Sequence, residues 1–314
     1  MSKNSVHEVH MESPGSMPWR RNLNTWKTSP ELEFKNILFA TDFSPVMNLA
    51  LPYATEIARR SGAMIHAVHV VSPDIYPLVP PAEWRNMATQ EEEFRNRKQA
   101  ELEEEFHGLP HEFLFPKGDV WQCVAHVIEH RGVDLIVLGT NGRTGIEKVV
   151  FGSVAERIFR QASCPVLTVG SRVSARATHA AAAELNCILY ATDFSPESFS
   201  AARYAMSLAK EHHAQLILLH AIENAEAGQV SAAFETLRDV VPLGAGLASK
   251  PICKVERGAP AASILGAAER DGADLIVLGI RGVDGHVNVA THFSNSIAYK
   301  IVTTATCPVL TVRG

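Results

Sequence analysis

Short apolar runs alternate with longer amphipathic stretches along most of this chain, a pattern that predicts strands and helices in turn. In the first half the apolar runs fall at about 36–41, 63–70, 112–116, 134–139 and 165–169. Runs such as Leu135-Ile-Val-Leu-Gly139 carry no interleaved polar residues. A strand reads this way when both of its faces are buried, as in a parallel sheet covered by helices on both sides. The chain is therefore expected to be α/β. The stretch from Glu83 to His107, dense in Glu and Arg, predicts a long helix with a solvated face.

The pattern occurs twice. Ile37-Leu-Phe-Ala-Thr-Asp-Phe-Ser-Pro45 returns as Ile188-Leu-Tyr-Ala-Thr-Asp-Phe-Ser-Pro196, Asp134-Leu-Ile-Val-Leu-Gly139 as Asp274-Leu-Ile-Val-Leu-Gly279, and Cys164-Pro-Val-Leu-Thr-Val169 as Cys307-Pro-Val-Leu-Thr-Val312. Three matches in one order imply two copies of a single domain, placed at 35–170 and 186–314. Residues 1–34 have no sustained periodicity and are expected to be a flexible arm; 171–185, rich in Ala, Ser and Arg, reads as a linker. In each copy Ser and Pro (Ser44-Pro45, Ser195-Pro196) follow the first strand, as an N-cap and first helical residue would.

Composition narrows the function. At 314 residues and 46% hydrophobic, the chain has material for two cores. A net charge of −5 gives no bulk attraction to nucleic acid or anionic lipid, so neither is expected as a partner. Five cysteines without a C-x-x-C pair point away from disulfide and zinc frameworks and toward a reducing, cytoplasmic setting. No apolar run has the length of a membrane span. The pairs His212–His213 and His286–His292 are expected to be solvated or core residues, not metal ligands.

In an open parallel sheet, ligands bind beyond the carboxyl ends of the strands, where the winding reverses. Asp42 ends the first strand and Gly139 the fourth, followed by a loop with the spacing G-x2-G-x9-G-S through Gly139, Gly142, Gly152 and Ser153. Gly139 and Gly142 have no Cβ, so they can adopt positive φ and let the backbone approach a bulky anion closely. Gly152 and Ser153 precede a helical pattern whose first amides favour negative charge. The sequence carries no G-K-[ST] phosphate loop and no G-x-S-x-G elbow, so no catalytic set is expected.

The ATDFSP turn, the DLIVLG strand, this loop and the terminal CPVLTV strand are similar to those of the universal stress protein family, over about 36–170 and 186–313. The resemblance implies two tandem doubly wound five-stranded parallel-sheet domains of the adenine nucleotide alpha hydrolase-like kind, with strand order 3-2-1-4-5. It further implies ATP, with or without Mg2+, in the first copy. Ala40, Thr41 and Asp42 would then lie by the adenosine, with the Val70 backbone on adenine. Gly139, Thr140 and Gly142 would line the phosphate path; Gly152, Ser153 and Val154 would bind phosphates through backbone N–H, with Arg143 and Lys148 as charge partners. The second copy departs from the pattern: Asn295 and Ser296 stand where the first has Gly152 and Ser153, with twelve residues after Gly282 instead of nine. It is expected to bind ATP weakly or not at all and to serve as a built-in dimer partner, pairing through the terminal strands. A homodimer of whole chains and an unidentified protein partner are further expectations. The function expected is a regulatory, stress-related ATP-binding protein; the alternatives are a slow ATPase or nucleotide-transforming enzyme, and a nucleotide-free scaffold.

Overall fold

The structure, a computed structural model, describes residues 32–71, 84–140, 151–173, 183–224, 226–242, 244–281 and 296–314. The first copy contains β1 (Asn36–Ala40), α1 (Pro45–Ser61), β2 (Met64–Val68), α2 (Trp84–Glu105), β3 (His111–Leu114), α3 (Val120–Arg131), β4 (Leu135–Gly139), α4 (Ser153–Gln161) and β5 (Val166–Val169). The second contains β6 (Cys187–Ala191), α5 (Pro196–Glu211), β7 (Gln215–Ile222), α6 (Ala227–Val240), β8 (Ile252–Arg257), α7 (Pro260–Asp271), β9 (Leu275–Ile280), α8 (Ile297–Thr304) and β10 (Val309–Arg313).

The strands form one ten-stranded sheet in the order β3-β2-β1-β4-β5-β10-β9-β6-β7-β8. Each copy keeps the order 3-2-1-4-5 with parallel neighbours, and the copies join where β5 and β10 run antiparallel. That seam buries a threonine from each side. The Thr168 hydroxyl donates to the Val309 carbonyl at 3.1 Å, and the Thr311 hydroxyl donates to the Val166 carbonyl at 3.2 Å. The repeated threonine in Pro-Val-Leu-Thr-Val thus satisfies its own hydroxyl across the joint, as a buried polar group must.

A second repeated residue fixes where strands begin. Asp134 accepts from the amides of Lys35 and Asn36 at 2.7 and 3.1 Å, and Asp274 from those of Asn186 and Cys187 at 2.9 and 3.0 Å. The acidic residue that opens each fourth strand therefore ties down the start of the first strand beside it. Helices cover both faces, with one core cluster around Phe39, Phe106, Tyr190 and Leu237 and another around Leu38, Ile136, Phe159 and Ile276.

Residues at the edges of the expected arm and linker are packed. Phe34 is buried and its ring stacks 5.9 Å from Tyr204 of the second copy, while Val173, Ala183 and Leu185 are buried too. Apolar side chains at these edges gain more by entering the inter-copy core than by staying solvated. Residues 1–31 and 174–182 lie outside the described residues. Among the described residues, no helix is long and apolar enough to cross a membrane.

Candidate functional site

At the carboxyl end of β1 the chain turns sharply into α1. The Thr41 hydroxyl oxygen accepts from the Phe43 amide at 3.0 Å, and the Asp42 carboxylate from the Ser44 amide at 2.9 Å. These bonds hold Phe43 at φ +59°, a left-handed conformation that is uncommon for a bulky side chain. Its ring packs 4.5 Å from the imidazole of His69, whose Nδ1 pairs with the Thr41 carbonyl at 2.9 Å. The second copy repeats every part, with Thr192, Asp193, Phe194 at φ +62° and His220. Partial desolvation raises the Asp193 carboxyl, but hydrogen bonds from Ser195 and Ser198 outweigh it and hold it below the usual carboxylate range.

In the first copy this turn borders a cleft of about 260 Å³. Ala40, Thr41, Asp42, Val70, Gly139, Gly152, Ser153 and Val154 all line it. Thr140 is buried beside the lining and pins both ends of the intervening loop: its carbonyl accepts from the Gly152 amide at 2.7 Å. Gly142, Arg143 and Lys148 lie outside the described residues.

The apolar wall of the cleft went unread in the sequence. Val120 and Val124, one turn apart on α3, face Val68, Leu138 and Ile158 across it. Their i, i+4 spacing just after the Asp119 N-cap was the available signal.

One glycine works differently from expectation, and another stands where it was expected. Gly139 is the last residue of the extended strand β4 and is not among the positive-φ residues. It is required instead by close approach, because a Cβ there would stand 3.0 Å from both Met47 Sδ and Val46 Cγ1 of α1. Gly152, at φ −59°, is likewise unstrained and forms the N-cap of α4. What glycine contributes at 152 is the missing side chain: nothing from the cap residue meets the first amides of α4, whose residues Ser153, Val154 and Ala155 line the cleft.

The equivalent cleft in the second copy is smaller, about 140 Å³, and its rim is built differently. Ser296 caps α8, its hydroxyl accepting from the Tyr299 amide at 3.2 Å. Ser198 fills the place of Met47, and its hydroxyl pairs with Thr192 at 2.9 Å. A Cβ at Gly279 would lie 2.4 Å from the Glu197 carbonyl and the Ser198 Cα, so α5 sits tighter on β9 than α1 does on β4. Asn295 and Gly282 lie outside the described residues.

The caps of the two α1-type helices also differ. The Ser195 hydroxyl accepts from the Ser198 amide, but Met47 N–H is taken by the Ser44 carbonyl at 3.0 Å, which leaves the buried Ser44 hydroxyl without a partner. Beside the first cleft, the Gln122 amide and the Arg157 guanidinium hold the Asp119 carboxyl below its ordinary value and link α3 to α4.

The second copy reaches the first cleft from behind. Tyr299 of α8 packs edge-on to Phe151 at 5.7 Å, immediately before Gly152. The histidines hold no metal cluster among the described residues. His126 and His130, a one-turn pair on α3 that the sequence reading passed over, lie 3.7 Å apart ring to ring but have no third ligand grouped with them.

Comparison with known proteins agrees with this architecture. The profile of the universal stress protein family matches residues 33–170 and 185–313. A universal stress protein of Methanocaldococcus jannaschii is 35% identical over 153 residues, which is 47% of this chain and 88% of that protein. The crystal structure of a universal stress protein from Archaeoglobus fulgidus superposes with a TM-score of 0.70 at 20% identity, covering 90% of this chain and 99% of that one. A functionally unknown protein from Pseudomonas aeruginosa superposes with a TM-score of 0.58 at 17% identity, over 89% and 92% of the two chains.

Proposed function

The chain belongs to the universal stress protein family, and we propose that it is a regulatory protein that binds one ATP, in the cleft of its first copy. The observation that carries this reading is the uncapped start of α4 on the rim of that cleft opposite an apolar wall, in contrast to the cleft of the second copy, where Ser296 already caps the helix start.

The residues present fit the parts of an adenine nucleotide. Ala40, Val68, Val70, Val120 and Val124 offer an apolar slot for a planar base, and Asp42 a carboxylate for ribose hydroxyls. The amides of Ser153 and Val154 at the α4 N-terminus suit phosphate oxygens. Mg2+, where present, would arrive on the phosphates, with Asp42 as the carboxylate on the cleft lining.

ATP acts in this reading as an occupant and not as a substrate. Its phosphates would bear on the segment between Thr140 and Gly152, and so present nucleotide status to a protein partner. Equilibrium dialysis with labelled ATP, followed by chromatography of the bound nucleotide, tests both halves of the reading. Retained and unhydrolysed ATP is expected; release of ADP at a steady rate would favour an enzyme, and no retention a scaffold.

A further inference from the structure

A larger cavity lies elsewhere in the second copy, toward the amino end of β8 and away from the nucleotide rim. It measures about 550 Å³, within the roughly 300–1,000 Å³ of small-molecule sites. α6 and the segment that leads from it into β8 enclose it, over a floor of Leu218, Leu237, Val241, Leu247 and Cys253.

The first copy shows why there is space. Strand register places Phe113 opposite Ala67, and Cys253 opposite the equivalent Leu218. Phe113 packs 5.9 Å from Phe106 and 5.5 Å from His111, and Phe106 packs 6.2 Å from Phe39. Those rings fill that face of the first copy. In the second, a cysteine replaces the phenylalanine at this register position, and Val241 and Leu247 pack against the core beside it without filling the groove above. Arg238, Gly244, Gly246, Ser249 and Lys250 on its walls are exposed, so the volume opens to solvent as a groove that a ligand can enter.

The walls define its chemistry. Arg238 and Lys250 stand on the lining, both close enough to act on the Cys253 thiol, and no acidic residue shares the lining with them. Among the described residues, Arg238 has as its acidic partner Glu235, at a long, exposed 3.5 Å. The enclosing segment is held in place: Gln215 donates to the Lys250 carbonyl at 3.1 Å and accepts from the Ser249 hydroxyl at 3.0 Å. Gly246, at φ +72°, packs onto the Lys210 side chain.

We infer that this cavity is a second ligand site, which takes a small amphipathic anion with its aliphatic tail against the partly buried Val241, Leu247 and Cys253 and its carboxylate between Arg238 and Lys250. An apolar floor under two cations matches such a molecule in both area and charge. The site is independent of the nucleotide reading, because it shares no residue with either rim cleft.

Calorimetric titration of the full chain with decanoate, and with decanol as its uncharged counterpart, tests the inference. Saturable decanoate binding is expected, at least fivefold tighter than decanol, with the preference lost in Arg238→Gln/Lys250→Gln. Cys253→Phe, which restores the ring present in the first copy, is expected to abolish it. Because that variant could misfold, alkylation of Cys253 in the unaltered protein provides a second readout, and decanoate is expected to slow it. Absent or non-saturable binding, equal affinity for decanol, or unprotected Cys253 would overturn the site.

Discussion

The Arg313 guanidinium, one residue from the end of the chain, donates to the Phe159 carbonyl at 2.7 Å. Phe159 lies in the last turn of α4, so a cation from the second copy satisfies a terminal carbonyl of the helix whose other end borders the cleft of the first copy. The exchange is one-sided. The equivalent position in the first copy is Gly170, near the carbonyls of Val302 and Ala305, and it offers α8 no such charge.

Arg313→Ala is therefore expected to destabilise the chain by about 1–2 kcal/mol and to weaken nucleotide binding several-fold, although Arg313 lies outside the cleft lining. Urea unfolding and ATP titration of the variant measure the two effects. Unchanged affinity would separate the second copy from the first site.

Gly152→Asp should move stability and binding in opposite directions. A carboxylate at the N-cap accepts from the open amides of α4 and stabilises the helix by a few tenths of a kcal/mol. It also places negative charge where phosphates are proposed to sit. A slightly raised Tm together with lost ATP binding is the expected pair of results; retained binding would remove the phosphates from this helix start.

The two strand-ending glycines should differ in their tolerance of a methyl group. At Gly279 the added Cβ meets the backbone of Glu197 and Ser198 at 2.4 Å, which no rotamer change relieves, so Gly279→Ala should cost about 3 kcal/mol. At Gly139 it meets the side-chain ends of Met47 and Val46 at 3.0 Å, and the adaptable methionine should limit the loss to about 1 kcal/mol. Denaturant midpoints of the two variants, compared at equal m-value, check the order.

His212 is buried with neither ring nitrogen partnered, and burial, with Arg60 nearby, pushes its pKa down to about 4. The unfolded chain takes up this proton near pH 6.5, and the folded chain only near pH 4. The contribution is therefore present in full above pH 6.5 and is lost as pH falls toward 4, by at most about 3 kcal/mol. Stability measured across that window should fall more steeply for the natural chain than for His212→Leu.

Much of this was legible from local pattern. The unbroken apolar runs located the strands, because burial on both faces leaves no room for polar alternation, and the repeated CPVLTV segments pointed to the seam because apolar edge strands need covering. His69 and His220 stand at equivalent strand ends in the two copies and pair with the Thr41 and Thr192 carbonyls, so the repeat itself carried this contact. Gly139 was misread because its need for glycine comes from α1, a contact between residues about ninety positions apart that spacing within a loop does not encode. Phe34 was placed in the arm because its partner, Tyr204, belongs to the other copy. The cavity beneath α6 was invisible for a related reason: it arises from rings that are missing, and a cysteine gives no sign that its counterpart is Phe113.

The asymmetry of the two helix starts, Gly152 open and Ser296 capped, is the centre of this account, and the stoichiometry of ATP binding tests it most directly. Isothermal titration of the full-length chain should give one ATP per chain, reduced to none by Gly152→Asp. Two equivalent sites per chain, or one site that survives Gly152→Asp, would contradict it.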